Sequence, residues 1–163
     1  MLFSLRLLLG QPEGHLSVDC SFDWRDLDIQ FQKPAAEPVR LRGEVRSTAG
    51  VLMLRAVLTA RLHQSCDRCL TSFEREFSLP VEAVLSESRE SEENEEIVLI
   101  RNECVDLEEL ARAAFILSMD IKSLCTEDCA GLCAGCGQNL NAGPCHCEKE
   151  TDPRWKALRD YSF

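Results

Sequence analysis

The chemistry this chain could do is concentrated in its sulfur. Cys129, Cys133, Cys136, Cys145 and Cys147 fall within the stretch CAGLCAGCGQNLNAGPCHC, and Cys125 lies just upstream. Cys66 and Cys69 form a separate Cys-x-x-Cys far back in the chain. Close spacing lets a tight turn aim two sulfurs at one ion, and a tetrahedral site takes two such pairs. The eight thiols form four pairs, enough for two closed sites. The grouping favoured here is Cys66, Cys69, Cys125 and Cys129 for one ion, and Cys133, Cys136, Cys145 and Cys147 for a second. The alternative sets Cys66 and Cys69 against Cys133 and Cys136, two knuckles facing each other. Occupancy by one ion or two stays open. His146, crowded between Cys145 and Cys147, is a substitute ligand.

The pattern selects among thiol chemistries. Ferredoxin cluster runs have other spacings. A thioredoxin-like redox pair wants a helix after it, and a strand-like run follows Cys69. Catalytic zinc keeps an open position, with histidine or carboxylate among its ligands, whereas a four-cysteine site is closed. The expectation is structural zinc, one or two ions, and no enzyme activity. Disulfides are the competing reading, and they need an oxidising compartment. The opening MLFSLRLLLG is interrupted by Arg6 and lacks a small-residue cleavage site, so it reads as a first strand rather than a secretory signal. No apolar run approaches membrane-spanning length. The expected location is therefore cytoplasmic. Cys20 and Cys104 are left over and read as small buried hydrophobes. His15 and His63 stand alone in sequence.

These ligands need a scaffold. Apolar residues make up 45% of the chain, which suffices for a core. Residues 1–86 read as mostly β. Val39 to Arg46 alternates apolar and polar, Ser47-Thr48-Ala49-Gly50 turns, and Val51 to Leu62 puts Leu52, Leu54, Ala56, Leu58, Ala60 and Leu62 on one face. Ser72 to Leu85 alternates again, with Pro80 pointing to an edge or a bulge. Ser86 to Glu96 is an acidic loop: a solvated linker, or a lure for a basic partner. Ile97 to Ile100 is a short strand. A helix is expected near 106–118, with Asp106 as its cap and Leu107, Leu110, Ala111, Ala114, Phe115 and Leu117 or Ser118 in its apolar stripe. Asp152-Pro153 opens a short terminal helix carrying Trp155, Leu158 and Tyr161. The fold class is α+β: an antiparallel β-rich body, sheet or partly open barrel, with one central helix, a cysteine-rich zinc-ribbon-like segment and a terminal helix. The domain reading is 1–123 for the body and 124–163 for the zinc-binding segment and terminal helix, packed on the body as one unit.

Charge is unevenly spread. The net value is −10, and residues 82–163 carry all of it, with eight basic and eighteen acidic side chains. That half repels free RNA and attracts a basic protein. In the balanced half, Arg40, Arg42 and Arg46 share strand parity, as do Arg55 and Arg61. If the faces coincide, five guanidinium groups form a patch for RNA phosphates or another partner. The ordinary alternative is a solvated sheet face with Glu44 among the arginines.

One string goes further. Leu124-Cys125-x₃-Cys129-x-Gly131-Leu132-Cys133-x-x-Cys136-Gly137-x-Asn139-Leu140-Asn141, followed by Cys145-x-Cys147 and Asp152-Pro153-Arg154 and preceded by Cys66-x-x-Cys69, resembles the YceD-like family, the large ribosomal RNA subunit accumulation proteins. The resemblance covers roughly residues 38–161. Ala134 stands where that family often has proline, and Met119-Asp120-Ile121 where a proline usually follows the helix. The resemblance implies a bacterial or plastid ribosome-biogenesis factor, supporting synthesis or accumulation of large-subunit ribosomal RNA. Its implied partners are the large-subunit precursor, its RNA or a basic ribosomal protein. Some family members have few of these cysteines, so metal is not obligatory for the family's role. Two other classes compete: a zinc-ribbon nucleic-acid binder outside ribosome assembly, and a thiol redox protein. No Lys or Arg occurs between Cys125 and Cys147, which speaks against phosphate contact by the ribbon.

Overall fold

The computed structural model describes residues 1–29, 33–35, 37–87, 97–147 and 154. It divides into two compact units. The first takes Met1–Gln64 and Glu74–Ile121, the second Ser65–Phe73 and Lys122–Phe163.

The first unit is built on a five-stranded sheet in the order β2-β3-β4-β5-β6, with a two-stranded β1-β7 pair beside it. The strands are β1 (Leu2–Ser4), β2 (Glu13–Phe22), β3 (Val39–Thr48), β4 (Val51–Ser65), β5 (Ser72–Ser86), β6 (Ile97–Leu99) and β7 (Cys104–Asp106). The expected hairpin is present. β3 and β4 pair antiparallel from Thr48↔Val51 to Arg40↔Thr59. Ala49 and Gly50 turn between them at φ 51° and 82°. Two consecutive positive-φ residues match the twist of a right-handed ribbon. Gly43 sits opposite Ala56, where a Cβ would lie 2.1 Å from the carbonyl oxygen of Arg55. Only glycine allows the strands that approach.

β5 runs unbroken through Pro80, with Pro80 on the exposed parity and Val81, Ala83 and Leu85 buried. β6 pairs parallel with Val84–Ser86 alone, so the β6 side of β5 has no strand of β6 at Pro80. That fits the edge position proline requires. The N-terminal strand is shorter than the sequence suggests. After Ser4 the chain turns, with Leu8 and Leu9 N–H groups donating to the Leu5 carbonyl. Leu5 and Leu8 are buried by this turn. Three leucines in a row thus serve a compact turn rather than an alternating strand.

Helix α1 (Leu107–Ser118) forms where its apolar stripe predicts. The Asp106 carboxylate accepts from the N–H groups of Glu108 and Glu109 at 3.0 and 3.2 Å. Leu107, Ala111 and Phe115 are its buried face; of the two residues expected to end the stripe, Ser118 is half-buried and Leu117 is exposed. Phe115 meets Trp24 and Phe77 at ring-centroid distances of 5.4 and 5.3 Å, and Trp24 stacks on Phe22 at 5.4 Å. Aromatic contacts at this range add to the area they remove from water. Of the two leftover cysteines expected to be buried, Cys20 lies in this core and Cys104 is only half-buried. Burial pushes the Cys20 thiol pKa up. The overall class is the α+β arrangement expected, a largely antiparallel β body with one helix. The expected terminal helix and residues 88–96 of the acidic loop lie outside the described residues, Arg154 excepted.

Candidate metal centres

All eight paired cysteines fall in the second unit. The turn Ser65–Phe73 carries the first knuckle. Cys66 N–H donates to the Thr71 carbonyl at 3.0 Å and Leu70 N–H to the Cys66 carbonyl at 2.8 Å. Leu70 closes the turn at φ 58°, a conformation a leucine rarely holds without surrounding constraint. Asp67 fastens the knuckle to the incoming chain. Its N–H donates to the Ser123 carbonyl at 2.8 Å, and its carboxylate accepts the Ser123 N–H at 2.7 Å. Cys125 and Cys129 follow directly.

The outcome is a pair of sulfur clusters. Within each, the ligand atoms all lie within 4.8 Å of one another: Cys66, Cys69, Cys125 and Cys129 in the first, Cys133, Cys136, Cys145 and Cys147 in the second. This is the favoured grouping, not the one with the two knuckles facing each other. In the first, Cys66–Cys129 and Cys69–Cys125 sulfur distances are 3.7 and 3.6 Å. In the second, Cys133 lies 3.2 Å from Cys145 and 3.3 Å from Cys147, and Cys145 is 3.5 Å from Cys147. A zinc–sulfur length of about 2.3 Å puts tetrahedral sulfurs about 3.8 Å apart. The first tetrad fits this spacing and the second is slightly tighter. All ten cysteines are free thiols.

The electrostatics also fit a cation. Burial pushes the Cys66 thiol up, but the N–H groups of Cys125, Cys69 and Arg68 together outweigh it and bring the pKa down to about 6. Thr71, through its hydroxyl and its N–H, lowers that of Cys69. Burial, then the neighbouring sulfurs of Cys69, Cys129 and Cys66, drives Cys125 up to about 12. The second tetrad repeats the division. The Cys136 N–H, then Cys145 and the Gly135 N–H, bring Cys133 down to about 6, while Cys133 and Cys145 push Cys147 up to about 12. Sulfurs this close cannot all carry charge unless a cation sits among them.

Side chains that spacing alone does not mark as ligand supports hold these cysteines. Asn141 Nδ2 donates to Cys129 Sγ at 3.3 Å, and Asn141 Oδ1 accepts the Ala130 N–H at 2.8 Å. Asn139 Oδ1 accepts from Asn141 Nδ2 at 2.9 Å, and Asn139 Nδ2 lies 3.4 Å from Thr71 Oγ1. Arg68 Nη1 donates to the Cys129 carbonyl at 2.9 Å. Asn139 and Asn141 are of a turn-forming residue type. They are also the polar shell of the first tetrad, a role ligand-supporting groups commonly fill. Gly131, at φ 76°, lies where a Cβ would be 3.1 Å from the Arg68 carbonyl oxygen, which accepts the Leu132 N–H at 3.0 Å. The Gly-Leu-Cys step is thus fixed by a close backbone approach to the first knuckle.

The family model described as "Large ribosomal RNA subunit accumulation protein YceD" matches residues 54–161, more than half of the 163-residue chain. The chain belongs to this family. Among curated proteins, an uncharacterized protein of Mycobacterium leprae is 27% identical over 127 residues, covering 76% of this chain and 58% of its own length. Uncharacterized proteins of Mycobacterium bovis and Mycobacterium tuberculosis are each 28% identical over 118 residues, covering 70% of this chain and 57% of theirs. The chain therefore spans somewhat over half the length of these relatives. No solved structure matches it.

In this YceD-family chain the register of β3 on β4 brings the five arginines to one solvent-facing side of the sheet. Each has an acidic neighbour. Arg40 and Arg42 reach Asp19 at 2.9 and 3.3 Å, Arg46 reaches Glu44 at 2.9 Å, and Arg55 lies 3.8 Å from Glu82. Arg61 lies 3.1 Å from Glu74 and 3.9 Å from Glu37. The face is a lattice of both signs rather than a bare basic patch. Glu44, Arg46, Thr48, Val51, Met53 and Arg55 line a depression of about 400 Å³ on it. His63, alone in sequence, has a partner in space: Nδ1 is 3.1 Å from a Glu74 oxygen. Its Nε2 is buried without a hydrogen-bond partner among the described residues. No helix among the described residues is long and apolar enough to cross a membrane.

Proposed function

We propose that this protein is a non-enzymatic ribosome-biogenesis factor that supports synthesis or accumulation of large-subunit ribosomal RNA, with two structural zinc ions holding its second unit. The family match carries the ribosomal part of this reading. The two closed sulfur tetrads carry the zinc part. Four thiolates at tetrahedral spacing suit zinc, which has no geometric demand beyond the tetrahedron. With every position taken by sulfur, no site is left for a catalytic water.

The partner fits a basic ribosomal protein or a protein-coated precursor better than naked RNA. Acidic residues dominate the second half of the chain, and every arginine of the sheet face already faces a carboxylate. Exposed ion pairs are weak and screened, so phosphates can compete for those arginines once another contact brings RNA near. The place of action is the cytoplasm, where ribosomes assemble and thiols stay reduced. Depletion of the protein, followed by measurement of large- and small-subunit ribosomal RNA, tests this. A selective fall in the large-subunit species supports the reading. Unchanged large-subunit RNA overturns it.

A further inference from the structure

The two tetrads meet solvent differently. In the first, Cys66, Cys69 and Cys129 are 0%, 5% and 2% exposed, and Cys125 is intermediate. In the second, Cys133 alone is buried, Cys145 and Cys147 are intermediate, and Cys136 is exposed. Side chains of Thr71 and Asn141 contact first-site sulfurs. In the second, a main-chain group, Gly135 N–H, reaches Cys133 Sγ at 3.4 Å. Gly135 also leaves a flank of the second cluster bare: a Cβ there would sit 3.2 Å from Cys147 Sγ and 3.9 Å from Cys133 Sγ. The Cys133, Cys145 and Cys147 sulfurs stand 3.2 to 3.5 Å apart, and the Cys136 sulfur lies within 4.8 Å of all three, so each is a neighbour that can reach it.

We propose that the second tetrad is a peroxide-sensitive, metal-releasing site entered at Cys136, while the first keeps its ion. This rests on the two-ion reading above. The thiolate of Cys136 attacks one oxygen of a hydroperoxide. The O–O bond breaks, and the departing oxygen takes a proton. The sulfur is left as a sulfenic acid. A neighbouring thiolate of the same cluster attacks that sulfur, the S–O bond breaks and a disulfide forms. The expelled hydroxide takes a second proton. For hydrogen peroxide the balance is two thiolates, one peroxide and two protons giving one disulfide and two waters, with two electrons passing from sulfur to oxygen. Two ligands are then lost, and a divalent ion with two sulfurs left departs. The chain from Cys133 to Cys147 loses its clasp, while Cys66, Cys69, Cys125 and Cys129 hold the rest of the unit. Attack by oxidants follows exposure and thiolate character, and the second cluster has more of the first.

The test uses the full chain loaded with zinc and counted by native mass spectrometry. One equivalent of hydrogen peroxide is added with a chromogenic zinc chelator present, and thiols are then mapped by alkylation and peptide mass. The expected result is release of one of the two ions, a disulfide confined to Cys133, Cys136, Cys145 and Cys147, and loss from the first site at least tenfold slower. Reductant and zinc restore the starting mass. If two ions load and leave together, if neither leaves, or if the disulfide lies among the first four cysteines, this inference fails and the two-ion reading stands. If fewer than two ions load before oxidant is added, both fail.

Discussion

Replacing Asn141 by alanine tests the polar shell of the first metal centre. The amide makes three contacts: to Cys129 Sγ at 3.3 Å, to the Ala130 N–H at 2.8 Å, and to Asn139 Oδ1 at 2.9 Å. Cys129 is 2% exposed, so its sulfur has little water to replace a lost donor. A hydrogen bond to a charged group is worth about 1.5–3 kcal/mol, and a neutral one about 1. The Ala130 and Asn139 contacts are exposed and add little. The cost is then about 1.5–3 kcal/mol, or roughly 10- to 150-fold in the first-site zinc constant at 1.4 kcal/mol per decade. That agrees with the tenfold to hundredfold losses usual for ligand-supporting groups. Competition against chelators of graded strength reads the two sites separately. Asn141→Ala should weaken one ion and leave the other unchanged. Asn141→Asp should be worse than alanine, because it sets a carboxylate beside a thiolate. Equal affinity in wild type and both variants would refute the reasoning.

Other outcomes follow from the same geometry. Of the two forms of cysteine, zinc takes the thiolate. Cys125 and Cys147, pushed up to about 12, hold protons at neutral pH in the metal-free chain, so each ion must displace at least one proton. Zinc affinity should rise with pH and fall as the solution is acidified towards the Cys66 and Cys133 values near 6, and zinc addition to a weakly buffered solution at pH 7 should acidify it measurably. Phe115→Ala removes the ring on which Trp24 and Phe77 pack and should cost about 3–5 kcal/mol, read by denaturant unfolding. Gly43→Ala places a methyl 2.1 Å from the Arg55 carbonyl oxygen and should lower the melting temperature by about 10 °C or prevent folding, at about 2–4 °C per kcal/mol. The triple change of Arg40, Arg42 and Arg55 to glutamine should leave the melting temperature nearly unchanged, since its ion pairs are exposed. The same variant should weaken association with large-subunit precursors if that face is used, as measured by sedimentation with the precursor.

Much of this arrangement is legible in the sequence. The β3–β4 hairpin showed because alternation and a turn fix register together: one residue of slip would put Leu41, Val45, Leu54 and Leu58 in water. The helix showed because cap and stripe agree at Asp106. The metal grouping was legible as a preference only, since spacing says which cysteines pair but not which pairs meet. The turn after Ser4 was not legible, because a run of leucines has no period to read. Nor was the shell at Asn139 and Asn141, since asparagine favours turns for local reasons and its reach to Cys129 depends on the fold of the whole segment. The sheet arginines were placed correctly by parity, but their neutralisation by Asp19 and Glu82 comes from the neighbouring strands β2 and β5. A single strand's pattern cannot show what stands beside it.

The most direct test of the two closed sulfur tetrads is ¹¹³Cd NMR of the chain with cadmium in place of zinc. Two resonances in the four-thiolate range are expected, one scalar-coupled to the β-protons of Cys66, Cys69, Cys125 and Cys129 and the other to those of Cys133, Cys136, Cys145 and Cys147. A single resonance, or couplings that join Cys66 and Cys69 to Cys133 and Cys136, would contradict it.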